Sequence, residues 1–387
     1  MDNIAGRKSG LSWAVNLSVV VLVLLWLFPT VGLLVSSFRT ADQIAASGWW
    51  KALFPSEQVV QLRTGGAEAA TQEGELWVVK GNLLEEAEDG PETGTEITRF
   101  GVSSKAVDAY AVGEVASFTK DTKTFTMDAE GNYRFTSTKE LKKRGQRVFI
   151  TATLPPEFTL ANYDQVLLSG NSNDSMTKAF LNTLTVTIPA TIIPIVIAAF
   201  AAYALAWMEF PGRALLIAAV VGLLVVPLQL ALIPLLKLHL NIGIGKGYLG
   251  VWLAHTGFGL PLAIYLLRNY MSGLPRDIIE NAKVDGATDF QIFTKIILPL
   301  SFPALASFAI FQFLWTWNDL LVAKVFLIDS TGNTTVMTNQ IVELLGTRGG
   351  NWEILATAAF VSISVPLLVF FAMQRYLVRG LLAGSVK

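Results

Sequence analysis

The 387-residue chain has no cysteine and only two histidines. Without cysteine there can be no disulfide and no thiolate metal site. His239 and His255 sit in separate apolar segments, without a His-Glu-x-x-His or comparable spacing, so neither reads as a metal ligand. Charge is also scarce: Asp, Glu, Lys and Arg make up 15% of the residues and the formal net charge is -1, which leaves no basic footprint for nucleic acid. A nucleotide-binding loop is missing as well. Gly243, Gly245, Gly247 and Gly250 cluster around Lys246, but no strand precedes them and Gly247 follows the lysine where Ser or Thr is required, so they read as an interhelical turn. The two histidines and the scattered carboxylates do not gather near one leaflet as the site of a membrane-anchored enzyme would need, so the chain is read as a non-enzyme.

Apolar surface is what the chain has in quantity, with 52% hydrophobic residues. A membrane-spanning helix needs about 20 mostly apolar residues, and six runs qualify: Trp13 to Ser37, Leu181 to Trp207, Leu215 to Leu236, Gly250 to Leu267, Phe302 to Leu327 and Ile354 to Met373. The first is too long for a signal peptide and has no small-x-small cleavage site before Phe38-Arg39, so it is expected to remain as an anchor. With six spans the basic residues of the short loops sort to one side: Arg7 and Lys8, Arg213, Arg268, Arg276, Lys283 and Lys295, then Arg375, Arg379 and Lys387. That side is expected to be the cytoplasm of a bacterial plasma membrane, with both termini inside.

The connection after the first run breaks the pattern. From about Arg39 to Lys178 it is polar, and strands are expected at Glu75–Val79, Thr124–Met127, Asn132–Phe135 and Arg147–Ile150. Phe125 and Met127 alternate against Tyr133 and Phe135 across Asp128-Ala129-Glu130-Gly131, a hairpin with one apolar face. A small β-rich domain over about 56–154, outside the membrane, is the expectation.

A short polar stretch, Pro275 to Pro299, separates two apolar runs. Pro275 suits a helix start, and Asp277 and Glu280 suit the positive end of the helix dipole. Gly286 suits the left-handed residue after a helix end, and Thr288 or Asp289 can cap a second helix. Two short helices with a tight corner are therefore expected, with Ile278, Ile279 and Ala282 on one face.

The positions Glu280, Ala282, Asp285, Gly286, Ile296, Leu298 and Pro299 resemble the EAA signature of ABC-transporter permeases, with Asn281 standing where that family usually has Ala. Phe158-Thr159-Leu160-Ala161-Asn162-Tyr163, Asn182-Thr183-Leu184, Ala201-Ala202-Tyr203-Ala204-Leu205, Trp317-Asn318-Asp319 and the tail Gln374 to Leu381 extend the likeness to the MalG-type permease of carbohydrate ABC importers. The long insert is most similar to the α-glucoside branch. The resemblance implies an all-α polytopic membrane protein, six transmembrane helices of the type I importer permease fold, with the β-rich domain inserted after the first helix. It implies a coupling helix around Glu280 that docks on an ATPase dimer, so that ATP and Mg belong to that partner and this chain carries no cofactor. It also implies a second, MalF-like permease subunit, an extracytoplasmic sugar-binding protein, and contact of Gln374, Arg375, Leu377 and Gly380 with the ATPases. The loop from Asp329 to Trp352, with Gly346, Arg348, Gly349 and Gly350, falls where the family reaches into the binding protein. Gln229, Asn318 and Asp319 are candidates for lining the pathway or holding helices together. The competing readings are import of another solute, such as glycerol phosphate, and a membrane sensor or scaffold carrying the β-domain.

Overall fold

The computed structural model of the protein describes residues 10–86, 95–118, 122–141, 143–168, 176–329, 331–347 and 350–382. The chain forms two compact units, Met1–Asn162 with Asn351–Thr357, and Tyr163–Gly350 with Ala358–Lys387.

The first unit begins with α1 (Gly10–Ser37), whose side chains are exposed as far as Pro29 and mostly half-buried or buried beyond it. Its end is fastened by sequence-distant groups: the Asn162 amide donates to the carbonyls of Ser37 and Arg39, both at 2.9 Å, and the Thr159 N–H donates to Phe38 O at 2.7 Å. These bonds satisfy carbonyls that a helix end leaves without partners. The Phe158-to-Tyr163 motif thus has a local structural task. A short helix α2 (Ala41–Ala46) follows, started by the Thr40 side chain.

Among the described residues nine strands come next: β1 (Ser56–Arg63), β2 (Ala70–Glu73), β3 (Leu76–Asn82), β4 (Ile97–Gly101), β5 (Tyr110–Ala111), β6 (Ala116–Ser117), β7 (Lys123–Met127), β8 (Asn132–Ser137) and β9 (Arg147–Leu154). They make two antiparallel sheets, in the orders β1-β9-β4-β5 and β2-β3-β8-β7-β6. Alternate residues of the sheets share one core, with Leu62, Phe100, Val148 and Ile150 from the first and Val79, Phe125, Met127 and Phe135 from the second. In the β7–β8 hairpin Phe125 faces Phe135 and Met127 faces Tyr133. Gly131 takes φ +87° at its turn, and the Asp128 carboxylate accepts from the N–H groups of Glu130 and Asn132.

The second unit is helical. A helical start, α3 (Ala161–Tyr163) with a π turn over Asp164–Leu168, leads to α4 (Thr177–Trp207), α5 (Arg213–Leu223), α6 (Leu228–Asn241), α7 (Tyr248–Ser272), α8 (Arg276–Val284) and α9 (Asp289–Ile292). After a π turn at Phe293–Ile297 come α10 (Leu298–Leu300), α11 (Phe302–Trp317), α12 (Leu321–Phe326), α13 (Met337–Thr347) and α14 (Trp352–Leu382). Ala198, Ala199 and Ala202 of α4 pack with Ala263, Leu267 and Met271 of α7, and the small alanines let the helix backbones approach closely.

Among the described residues four helices, within α1, α4, α7 and α14, are long and apolar enough to cross a membrane singly. The expected third and fifth spans are not single straight helices. Leu215 to Leu236 is two helices, α5 and α6, bent by 110° at Leu224–Pro227, where Pro227 cannot donate the hydrogen bond that would continue α5. Phe302 to Leu327 is α11 and α12 separated by Asn318–Leu320, and α9–α10 meet α11 at a further bend of 70°. Counting each bent pair as one span gives up to six. The glycine- and threonine-rich segment from Asp329 to Trp352 contains the helix α13 rather than being all loop. The expected C-terminal tail continues α14 as helix as far as Leu382.

Candidate coupling segment

The stretch Pro275–Pro299 folds as the two-helix corner its residue types call for. Helix α8 follows Pro275 and closes with Gly286 at φ +80°. The Ala287 N–H donates to Ala282 O and the Gly286 N–H to Lys283 O, both at 3.0 Å, the paired bonds of a Schellman end. Thr288 then caps α9: its hydroxyl accepts from the Gln291 N–H at 3.3 Å, and Gln291 Oε1 accepts the Thr288 N–H at 2.9 Å. The π turn at Phe293–Ile297 precedes Pro299, whose ring would clash with the carbonyl of Lys295 in a regular α-helix, and the wider turn accommodates it.

One side of this corner is buried in its own unit. Ile279, Ile292, Phe293 and Ile297 are core residues, with Ala282, Ala287 and Leu298 packed at the edge of the same cluster, and Ile296 half-buried beside it. The Tyr203 hydroxyl of α4 donates to the Asp289 carboxylate at 3.1 Å, and Tyr203 and Phe200 bring their rings to 5.3 and 4.7 Å from Phe293. Rigid attachment to α4 is the result. The other side is open: Glu280, Asp285, Gly286 and Pro299 are exposed, and so are the apolar side chains of Val284 at 87%, Phe290 at 64% and Ile278, which was expected on the buried face with Ile279 and Ala282. Large apolar groups exposed beside carboxylates suit a protein partner better than water.

Several motif residues hold the bundle together. The Asn182 amide donates to the carbonyls of Asn333 and Thr335 at 2.9 and 2.8 Å and accepts from the Tyr248 hydroxyl at 2.8 Å. Trp317 Nε1 donates to Ser362 O at 3.0 Å. Asn318 donates to Leu314 O, closing α11, and its exposed side chain faces no other element by hydrogen bond in the described residues. Asp319 accepts from the Val322 and Ala323 N–H groups at 3.3 and 3.0 Å, which makes it the cap of α12. Its other neighbour is His255, with Nε2 3.7 Å from the carboxylate. That contact is not visible in the sequence, where the two residues are 64 positions apart; an ionisable residue inside an apolar run is the only hint of it. Gln312 donates to Ala190 O at 3.1 Å, in space that Gly259 leaves open, so it too joins α4, α7 and α11.

The remaining candidates do not converge on the corner in one place. Gln229 is exposed at the start of α6, and the carbonyls of Val221, Gly222 and Leu223 at the break accept from the N–H groups of Leu224, Val225 and Val226 instead of standing free. Gln374 and Arg375 lie on α14, where Tyr376 contacts α11 through the Phe302 ring at 5.2 Å and the Ser307 hydroxyl at 3.0 Å. Leu377 and Gly380 lie beyond the last described side chain. Gly346 falls in the last turn of α13 and Gly350 just after it, while Arg348 and Gly349 lie outside the described residues.

Residues 180–382 match the family described as the binding-protein-dependent transport system inner membrane component. The chain is 58% identical, over 98% of both lengths, to the alpha-glucoside transport system permease protein AglG of Rhizobium meliloti. It is 59% identical to the osmoprotective compounds uptake permease protein GgtD of Synechocystis over 60% of this chain and 76% of that one. To the trehalose transport system permease protein SugB of Mycobacterium tuberculosis it is 35% identical, over 60% of this chain and 84% of that one.

Proposed function

The chain belongs to the binding-protein-dependent transport system inner membrane components, as a permease subunit of an ABC importer, and we propose that its cargo is an α-glucoside such as maltose, sucrose or trehalose. The observation that carries the cargo is coverage. The α-glucoside permease aligns over 98% of the chain, whereas the other two relatives align over 60% of it. The 59% identity to the osmoprotectant permease supports a second cargo class, small osmoprotective solutes.

The corner at Gly286 is the coupling element of this reading. An ATPase dimer that binds ATP and Mg closes, a cleft on it holds Glu280, Asp285 and the apolar Val284 and Phe290, and the rigid joint to α4 turns that closure into movement of the spanning helices. Six spans, counting each bent pair as one, put both termini and the corner in the cytoplasm and the β-rich insert outside, as the basic residues of the short loops favour. A second, MalF-like permease subunit completes the pathway. An extracytoplasmic sugar-binding protein delivers the cargo, with the region around Gly346, Arg348, Gly349 and Gly350 in reach of it. The end of α14, with Gln374, Arg375, Leu377 and Gly380, supplies a second contact to the ATPases. Asn318 and Asp319 serve helix geometry rather than the cargo, while Gln229, exposed at the start of α6, stays a candidate pathway residue.

The test is reconstitution of the complex purified through this chain, with uptake of radiolabelled maltose, trehalose, sucrose and glycerol phosphate. ATP-dependent uptake of one of the three α-glucosides is expected. Uptake of none of these, with ATP hydrolysis intact, would move the cargo to the osmoprotectant class, and absence of any co-purifying ATPase would remove the coupling reading itself.

A further inference from the structure

The β-rich insert carries a charge asymmetry that transport through the helical unit does not use. Between Ser56 and Leu154 there are sixteen acidic and twelve basic residues, yet five of the twelve fall within Lys139–Arg147. The fold adds a sixth. Arg63, at the end of β1, lies directly opposite Arg147, at the start of β9. Like charges facing each other across a sheet are destabilising, so the pairing costs stability that folding alone does not recover.

The backbone around them is held tightly. Thr64 and Gln146 exchange bonds at 3.0 Å, from the Thr64 N–H to Gln146 O and from the Gln146 N–H to the Thr64 hydroxyl, and the Arg63 guanidinium donates to Gly145 O at 3.0 Å. Any side chain at Gly145 would strike Thr64 O, and one at Gly66 would strike Lys143 O. The two glycines let the segments touch, and Arg63, Lys143, Arg144 and Arg147 are collected at one end of the β1–β9 pair. None of the four has an ion-pair partner among the described residues, in contrast with Lys80 and Arg134, which both pair with Glu73 at 2.6 and 2.7 Å and hold its carboxyl below the usual range. Desolvation, and then repulsion from Arg144 and Arg147, push the Arg63 guanidinium below its ordinary value.

We propose that Arg63, Lys143, Arg144 and Arg147 form a docking surface for an acidic patch on the soluble sugar-binding protein that serves this permease. The proposal rests on the permease reading and on the insert lying outside the membrane. Strand geometry favours a soluble partner over anionic lipid headgroups. The chain enters from α1 at the Ser56 end of β1 and leaves β9 at Leu154, which is paired with Ser56, so the basic cluster is at the opposite end, about 25 Å along the strands. Attraction to headgroup charge fades within a Debye length of about 8 Å.

The experiment uses the full transporter in nanodiscs and the binding protein of the same transport system, loaded with its sugar. Arg144→Gln/Arg147→Gln is compared with Arg144→Lys/Arg147→Lys, leaving Arg63 and its bond to Gly145 in place. The neutral variant is expected to slow association by about tenfold at low salt and to flatten its salt dependence, while the lysine variant behaves as wild type. Basal ATP hydrolysis stays at the wild-type level in both. Unchanged association in the neutral variant overturns the docking surface, as does a loss that appears only in discs containing anionic phosphatidylglycerol, which would assign the cluster to lipid. Absence of ATPase activity from the wild-type complex would instead sink the permease reading, so the two failures are distinguishable.

Discussion

At the residue scale, three positions carry more than their side-chain chemistry suggests. Gly286 holds φ +80°, and a Cβ built there meets nothing within 4 Å, so the demand is on the backbone alone. Gly286→Val is expected to cost about 1–2 kcal/mol and to displace the corner, while Gly286→Asn, which tolerates the left-handed region, is expected to retain most of the wild-type thermal stability and ATPase binding. Equal melting temperatures and equal ATPase binding for Val and wild type would contradict this. Asp319 caps α12 and faces His255, so Asp319→Ala removes two hydrogen bonds at a cost of about 1 kcal/mol or more, and Asp319→Asn keeps one of the two, through its single amide oxygen. Thermal unfolding of the detergent-solubilised complex should rank them wild type, Asn, Ala. At Gly259 the contact is steric. A Cβ would sit 2.7 Å from Gln312 Oε1, so Gly259→Ala is expected to destabilise the bundle by about 1–3 kcal/mol, and Gly259→Ala with Gln312→Ala should recover part of the loss.

At the element scale, what the sequence discloses depends on whether the physical cause is local. The corner at Gly286 is legible because a glycine after a helix and a threonine three residues before a glutamine act on their own backbone. The β7–β8 hairpin is legible for the same reason, with alternating apolar residues around Asp128–Gly131. Strand β1 is not, because its buried Gln58 interrupts the apolar alternation that Val60 and Leu62 continue. The bend between α5 and α6 leaves apolarity unchanged, so a hydropathy window runs straight through it and only Pro227 marks the place. The same blindness hides the break at Asn318–Leu320. Glycine and threonine at either end of helix α13 hide it in the sequence. Because the two sheets share one core, the insert excised as Ser56–Leu154 is expected to fold alone, with β-rich circular dichroism and one cooperative transition. A disordered spectrum would mean that its core depends on the rest of the chain.

At the scale of the whole molecule, the account is a division of labour between two units. The proposed six-span arrangement puts the insert outside the membrane and the corner inside the cell, so single cysteines at Ser103 and Ser385, placed in a chain that has no cysteine of its own, should differ in intact cells. Ser103 is expected to react with an impermeant thiol reagent and Ser385 only after permeabilisation; equal labelling would contradict the six-span arrangement. The central claim is that closure of a separate ATPase reaches the pathway through the corner at Gly286. Its most direct test is the ratio of sugar imported to ATP hydrolysed in proteoliposomes, for wild type and for Glu280→Ala, whose exposed side chain has no ion pair among the described residues and no part in the buried core. The account predicts assembled complexes in both cases, with the ratio for Glu280→Ala falling several-fold because a charge at the partner contact is lost. A wild-type ratio in Glu280→Ala and again in Gly286→Val would mean that the corner is a surface helix and that coupling runs elsewhere.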